Sequence, residues 1–132
     1  MRMTRAASYA IHALVHMATR KENRPLPSHL TAQEEGIPER FLLKVLKPLV
    51  SRGVLRSVKG PNGGYQLAKA PKDISLLDIV EAVDGPIQAN IPFEGKDSRG
   101  LETQLQAVCA QVADAIRRQF QKVRLSTLAE KG

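Results

Sequence analysis

Residues 37–67, IPERFLLKVLKPLVSRGVLRSVKGPNGGYQL, determine the architecture of this chain. Pro38 suits the first position of a helix, where its missing N–H would have had no partner. The apolar side chains after it recur at three- and four-residue spacing and form one face: Phe41, Leu42, Val45, Leu46 and Leu49. Gly53 ends this helix, and VLRSV and YQLAK then flank a glycine-rich tip, which predicts a β-hairpin. A helix joined to such a hairpin is typical of a winged helix-turn-helix.

Positive charge is concentrated on the same stretch. Between residues 38 and 72, eight lysine and arginine side chains accompany a single acidic one, Glu39. This excess of seven equals the formal net charge of the whole 132-residue chain, +7, so the remaining residues balance to zero. A basic helical face alone is usually only a solvated surface. Charge confined to one helix and its hairpin instead predicts a surface that binds a polyanion, and double-stranded DNA is the polyanion that this motif holds.

The predicted DNA contacts fall on this unit and on the segments before it. Because Pro48 removes a backbone hydrogen bond and should kink the helix, we expect the N-terminal half of the helix to read bases. Leu43 is placed either to meet a thymine methyl group or to pack at the rim of the protein core. Gly63 and Gly64 are expected at positive φ in the turn. The predicted contacts are Arg2, Arg5, Ser28, Glu39, Arg40, Leu43, Lys44, Lys47, Arg56, Lys59, Gly60, Asn62, Gly63, Gly64 and Tyr65.

Two helices are expected ahead of this unit. Residues 1–20 carry a narrow apolar stripe at helical spacing, with Thr4 as the N-cap. Ser28 is expected to cap a second, short helix that ends at Gly36. His12 and His16 have the spacing of two metal ligands on one helix turn, but no third ligand lies near them in the sequence. We therefore expect both histidines at the surface and predict no metal site.

The segment after the hairpin predicts two further helices with a loop between them. Ser75-Leu-Leu-Asp78 resembles a capping box at the start of a short helix that Gly85 ends. Residues 87–100 lack periodicity and are expected to form a loop. From Leu101 to about Leu125 an apolar stripe continues for roughly six turns, more than so small a core can cover, so we expect a second copy to cover it. The predicted dimer contacts are Leu101, Leu105, Val108, Val112, Ile116, Phe120 and Val123.

The predicted fold class is mainly α with a small β-hairpin wing. A winged helix-turn-helix domain would cover residues 1–86, a loop residues 87–100, and a dimerisation helix with its tail residues 101–132. No apolar run approaches the roughly 20 residues that span a bilayer, and the N-terminus lacks the apolar core of a signal peptide. The single cysteine, Cys109, excludes an intrachain disulfide and fits a reducing compartment. We therefore expect a cytoplasmic protein that does not bind membranes.

Three segments resemble the Rrf-two family of bacterial transcription regulators, which includes IscR- and NsrR-like repressors. They are TRAASYAIHAL, GIPERFLLKVLKPLVSRGVLRSVKGPNGGYQLAK and ISLLDIVEAVDGPI, which together cover roughly residues 3–87. The C-terminal third is similar only in kind, as a long helix followed by TLAE, like the last turn of the family. The resemblance implies a homodimeric regulator that binds an operator of inverted half-sites and represses or activates transcription. Of the two directions, repression is the one that we expect. It also implies recognition by the third helix, with the wing in the minor groove.

The resemblance raises the question of a cofactor. Sensing members of the family bind an iron–sulfur cluster through three cysteines, and some place a ligand histidine where this chain has Val112. Here the first cysteine position is Pro92, the second falls near Ser98, and only Cys109 remains. A cluster needs about four ligands, usually thiolates. We therefore expect a regulator without a cluster or any other cofactor.

Two alternatives to a simple DNA-binding regulator remain. Cys109 is either a small apolar residue beside the stripe or a reactive thiol that forms a sulfenic acid or an interchain disulfide, which would make the regulator redox-responsive. The winged helix could instead dock a partner enzyme, although such a module has no need of concentrated positive charge. An enzymatic function lacks support, because GPNGG has neither the lysine nor the hydroxyl of a phosphate-binding loop. The sequence leaves the operator, the effector and the direction of regulation open.

Overall fold

The computed structural model describes residues 3–89 and 93–131, which form six α-helices and one two-stranded sheet. The helices are α1 (Arg5–Ala18), α2 (Ser28–Glu35), α3 (Glu39–Ser51), α4 (Leu76–Asp84), α5 (Leu101–Lys122) and α6 (Leu125–Lys131). Strands β1 (Leu55–Val58) and β2 (Gly64–Leu67) pair antiparallel as the wing, and a 3₁₀ turn, Pro71–Asp73, follows them. The predicted fold class, mainly helical with a small β-hairpin wing and a long C-terminal helix, is confirmed.

The core lies where α1 packs against α3 and α4. Ala7, Ala10 and Ala13 lie on one face of α1 and are fully buried. These small side chains allow close approach of the neighbouring helices. Leu42 and Leu46 of α3 are also fully buried, as the apolar spacing predicts, and burial of each such leucine stabilises the fold by about 1.5–3 kcal/mol.

Two predicted N-caps are confirmed. The hydroxyl oxygen of Thr4 accepts a hydrogen bond of 3.0 Å from the N–H of Ala7, and its O–H donates to the carboxylate of Asp84 at 2.8 Å. In the capping box, Ser75 Oγ accepts from the N–H of Asp78 and the Asp78 carboxylate accepts from the N–H of Ser75, both at 3.0 Å. The Thr4 contact also ties the start of α1 to the end of α4.

Two other predicted helix starts are wrong by one residue. Ser28 is the first residue of α2 and not its cap; Pro27 holds the cap position, and no side chain caps the helix. The Ser28 hydroxyl instead donates a 2.7 Å hydrogen bond to the Glu39 carboxylate, so a contact between α2 and α3 replaces the local cap. Pro38 is the residue before α3 and not its first member. The helix then continues through Pro48 to Ser51.

A backbone bridge fastens the wing to the segment before α2. Leu26 and Tyr65 exchange two N–H···O hydrogen bonds of 2.9 Å. A Cβ at Gly64 would overlap the carbonyl group of Leu26, and Gly64 has the predicted positive φ, +146°. The same prediction for Gly63 is wrong. A side chain is excluded at Gly63 because it would overlap the carbonyl oxygen of Val58.

The long C-terminal helix is shorter than predicted and is followed by a second one. The helix α5 ends at Lys122, because Val123 has an extended backbone, with φ −87° and ψ 122°. The Val123 carbonyl accepts a hydrogen bond from the N–H of Leu76 and the N–H of Leu125 donates to the Ile74 carbonyl, each at 2.8 Å. Leu125 is fully buried and anchors α6, which packs against α1. The prediction that Val123 belongs to the helical stripe is therefore wrong.

The predicted loop between α4 and α5 has no helix or strand in its described parts, residues 87–89 and 93–100. The N–H of Ile87 donates to the Glu81 carboxylate at 2.8 Å. Further on, the side-chain amide of Gln106 donates to the Ala89 carbonyl at 2.9 Å. The first part of the loop is thus bonded to both flanking helices. Pro92, predicted at a cysteine position, lies outside the described residues.

Gly64→Ala should lower the free energy of unfolding by about 2–4 kcal/mol, because the new methyl group meets the Leu26 backbone in addition to the unfavourable φ. Gly60→Ala is the matched control. Gly60 also has a positive φ, +110°, but nothing lies within 4 Å of an added Cβ, so about 1–2 kcal/mol should be lost. Urea denaturation followed by circular dichroism measures both values. Equal losses would contradict the close approach at Gly64.

Candidate nucleic-acid interface

The exposed face of α3 carries three cations. Arg40, Lys44 and Lys47 are exposed on the side opposite the buried leucines, and we call these three residues the reading face. Glu39 stands at the corner between α2 and α3, where Ser28 holds its Oε2 atom by the 2.7 Å hydrogen bond. Its other oxygen remains able to accept a hydrogen bond, for instance from the amino group of a cytosine.

Phe41 is not part of the core, although the apolar spacing predicts it there. Its side chain is 37% exposed, on the edge of α3 that faces α1. The Arg40 guanidinium lies 4.7 Å and the Lys44 ammonium 5.6 Å from the centre of its ring. Each such cation–π contact contributes about 0.5–1 kcal/mol at an exposed site. The ring therefore helps to hold Arg40 and Lys44 in place. Their spacing is a sequence signal for this role, because residues one before and three after an aromatic on a helix can reach its ring.

Arg5 lies on the same side of the molecule as this ring. Together with neighbours from α1 and α3 it lines a shallow cavity of about 180 Å³; the other lining residues are Ala6, Tyr9, Phe41, Lys44 and Val45. The structure thus brings Arg5 and Lys44 together, as a shared DNA surface requires. Arg2, predicted as a contact, lies outside the described residues.

Leu43 packs within the protein. Its side chain is half-buried and lies against the core cluster. Of its two predicted roles, packing at the rim of the core is the one that the structure favours. Direct contact with a thymine methyl group would have to involve only the exposed part of the side chain.

The wing presents some of its predicted residues and buries others. Lys59, Gly60 and Asn62 are exposed at the wing tip, which we define as residues 59–63. Gly64 and Tyr65 are half-buried, and Tyr65 packs against the core while its backbone holds Leu26. Gly63, Gly64 and Tyr65 therefore shape the wing, and their contact with DNA stays a prediction. Arg56 is exposed in the half of β1 that is farther from the tip.

On α5 the first part of the predicted stripe is uncovered. Four side chains, which we call the apolar stripe, are 51%, 39%, 56% and 55% exposed: Leu101, Leu105, Val108 and Val112. Ile116 and Phe120 are half-buried, and Ala113 is the one α5 residue that is buried within the described chain. Cys109 is a half-buried thiol. A single copy therefore leaves an unpartnered apolar face.

His12 and His16 lie in different surroundings. Within residues 3–89 and 93–131, no three His, Cys, Asp or Glu side chains are grouped as a metal ion would require. His12 is exposed, as predicted, and its Nδ1 lies 3.6 Å from the Glu35 carboxylate. The predicted exposure of His16 is wrong, because its ring is half-buried and its Nδ1 is enclosed without a hydrogen-bond partner among the described residues.

None of the described helices is long and apolar enough to cross a bilayer.

The class of this protein is defined by the helices α2 and α3 with the hairpin wing that follows them, which make a winged helix-turn-helix. The long helix α5 with its apolar stripe is added to this unit. The sequence profile of the Rrf2 family, described as "Iron-dependent Transcriptional regulator", matches residues 3–131. The chain belongs to the Rrf2 family, which confirms the resemblance found in its sequence.

Individual relatives agree with this assignment. A regulator of Rhodobacter capsulatus described as rrf2-like is 40% identical over 89 residues, which are 64% of this chain and 59% of the relative. The HTH-type transcriptional regulator IscR of Klebsiella pneumoniae is 33% identical over 89 residues, 67% of this chain and 55% of IscR. The chain thus spans little more than half the length of these curated relatives.

Solved structures share the fold along the whole chain. CymR, the global cysteine regulator of B. subtilis, superposes with a TM-score of 0.80 over 100% of this chain and 98% of CymR, at 23% identity. The oxidised form of Staphylococcus aureus CymR gives a TM-score of 0.74 at 26% identity, over 98% of this chain and 97% of that one. The winged helix and the long C-terminal helix therefore occur together in proteins of distant sequence.

The family description implies iron, and the donor atoms of this chain do not fit an iron–sulfur cluster. Each chain has one thiol, Cys109, so two copies together supply only two of the roughly four thiolates that a cluster uses. Ser98, near the second cysteine position, is exposed and offers only a hydroxyl. No part of the function proposed below depends on iron.

Protein purified without oxygen should accordingly be colourless and contain well under one iron per two chains. The reason is the missing thiolate ligands, and the measurements are an ultraviolet–visible spectrum with iron and sulfide analysis after gel filtration. Cys109→Ala is the control and should give the same spectrum. Stoichiometric iron and sulfide in the unmodified protein would show that other ligands hold a cluster.

Proposed function

We propose that this chain is a sequence-specific DNA-binding regulator of transcription that acts as a homodimer in the cytoplasm. The observation that carries the proposal is the reading face of α3, three exposed cations within a stretch, residues 38–72, whose one acidic residue is Glu39. In this proposal the winged helix-turn-helix of residues 1–86 binds double-stranded DNA, and residues 101–132 supply the dimer contact. Its relatives are transcriptional regulators, and we propose no enzymatic activity.

The reading face suits the major groove. Helix-turn-helix proteins place the N-terminal residues of the second helix of the motif against base edges, and Arg40 lies in the first turn of α3. Its planar guanidinium matches the N7 and O6 atoms of a guanine, a contact that contributes roughly 1–3 kcal/mol of discrimination. Lys44 is one turn further along, where a flexible ammonium suits a phosphate. We therefore assign base reading to Arg40 and phosphate binding to Lys44 and Lys47.

The wing tip is suited to bind the phosphate backbone or the minor groove of the DNA, beside the major groove that α3 would occupy. Lys59 and Asn62 are exposed there and are carried by a hairpin that Leu26 fastens to the start of α2. The bridge limits movement of the wing relative to the helix-turn-helix. Both groups can therefore engage one duplex without a large loss of conformational freedom.

The apolar stripe supports a homodimer. Its four side chains are each between 39% and 56% exposed, and burying apolar surface contributes about 25 cal/mol per Å². Two copies that cover each other's stripe would gain several kcal/mol in this way. Because most homodimers are two-fold symmetric, the two reading faces would then meet inverted half-sites. An operator of this form at a promoter would let the bound dimer exclude RNA polymerase, and we propose repression as the direction of regulation.

Arg40→Ala and Lys59→Ala should weaken DNA binding in different ways. Arg40→Ala should lose affinity for the operator by roughly 1–3 kcal/mol per guanine contact and lose little for random DNA, since a base contact is removed. Lys59→Ala should weaken both equally and lower the slope of log affinity against log salt by about one per chain, since a phosphate contact is removed. Salt titrations on operator and scrambled duplexes measure these quantities. Equal weakening of both duplexes by Arg40→Ala would show that α3 does not read sequence.

Val112→Asp should yield monomers and abolish operator binding, because the dimer would bury a carboxylate from each copy. Ala110→Asp is the matched control. Ala110 is exposed on the opposite side of α5, so the same charge should leave the dimer intact. Light scattering gives the mass, and a gel-shift assay gives the affinity. An unchanged dimer for Val112→Asp would refute the assignment of the apolar stripe.

A further inference from the structure

A second basic site lies at the base of the wing. A cavity of about 340 Å³ opens there between the end of α1 and strand β2, and we call it the basal cavity. Met17 and Leu67, both buried, contribute apolar surface to it. Four exposed cations surround this surface: Arg20, Lys21, Arg56 and Lys69. Its volume falls in the range of small-molecule sites, about 300–1,000 Å³.

Among the described residues, no acidic side chain forms an ion pair with the cations around the basal cavity. No acidic side chain of the described residues lines it. Glu22, the nearest acid in sequence to Arg20 and Lys21, pairs instead with Arg24. Like charges gathered around one space repel each other, and an anion that binds among them removes this repulsion. An anion with two or more charges would gain most.

The wall of the cavity is fastened by hydrogen bonds. The side-chain amide of Asn23 donates to the Leu67 carbonyl at 2.8 Å, and its oxygen accepts from the N–H of Leu67 at 3.1 Å. The side chain of Gln66 donates to the Asn23 carbonyl at 2.8 Å. The loop that carries Arg20 and Lys21 is therefore attached to β2, which keeps both cations beside Lys69.

The basal cavity is separate from the proposed DNA surface. Arg56 lies opposite Gln66 in the register of the two strands. It is three residues from Lys59 at the wing tip, a distance of roughly 10 Å along the strand. Arg20 follows the C-terminal end of α1, a 14-residue helix of roughly 21 Å, whereas Arg5 stands at its start. Of the four cations, Arg56 alone is also a predicted DNA contact, and that prediction stays untested.

We propose that the basal cavity binds a phosphorylated small molecule with at least two adjacent negative charges. Arginine presents paired N–H donors that match two phosphate oxygens, and lysine adds compact charge, so Arg20 and Arg56 orient the group while Lys21 and Lys69 neutralise it. The apolar surface of Met17 and Leu67 accommodates a small organic body attached to the phosphates. This site does not depend on the function proposed above.

Inorganic diphosphate is the probe, titrated calorimetrically into the full chain without divalent cations at about 0.15 M salt, where charges beyond roughly 8 Å are screened. The double variant Arg20→Ala/Lys69→Ala should bind at least tenfold more weakly than the unmodified chain. Arg52→Ala/Lys72→Ala removes one arginine and one lysine, both exposed and outside the cavity, and should change binding less than twofold. If the first double variant fails to fold, Lys21→Ala replaces it, with about a threefold loss expected.

Three results would overturn the proposal. The unmodified chain could bind no diphosphate. Both double variants could weaken binding equally, which would show diffuse attraction by surface charge. The cavity variant could also lower the salt slope of DNA binding as Lys59→Ala is expected to, which would assign these cations to the DNA backbone. Loss of operator binding by Arg40→Ala is measured separately, so failure of either proposal leaves the other testable.

Discussion

Two backbone hydrogen bonds between Leu26 and Tyr65 hold the wing against the helix-turn-helix, and the layout of the proposed DNA surface depends on them. Each strand of the wing has only four residues, and an isolated hairpin of this size is marginally stable in water. The bridge gives β2 a second neighbour, which is possible because Gly64 has no side chain to meet Leu26. The reading face and the wing tip are thereby presented together.

The elements that the sequence predicts well are those determined by local signals. The apolar spacing of α3, the capping box at Ser75 and the glycine tip of the wing each act within a few residues. What it does not predict depends on distant partners. The helix α5 ends at Lys122 because residues 123–125 form backbone hydrogen bonds with residues 74–76. The Ser28 hydroxyl does not cap α2, because it donates a hydrogen bond to Glu39 of another helix.

In the candidate site, too, the sequence predicts the features that depend on local signals and misses those that depend on distant residues. The excess of positive charge is visible in the sequence, and it points to a polyanion without showing how many surfaces share it. Folding separates Arg56 from the reading face and brings it to Arg20 and Lys21, which precede it by more than thirty positions. Spacing along α3 assigns Phe41 to the core, but its place at the edge facing α1 leaves it beside Arg40 and Lys44. The grouping of Arg56 with Arg20 and Lys21 could not be read from periodicity, because it joins segments that are distant in the sequence.

The central claim is that two copies of this chain, joined along α5, read DNA sequence through α3. Selection of bound duplexes from a random pool by the full chain, followed by sequencing, tests it most directly. The account predicts enrichment of an inverted repeat whose half-sites lie about one helical turn apart, 10–10.5 base pairs, or a multiple of it. Enrichment of no sequence, or of a single unrepeated site, would contradict it.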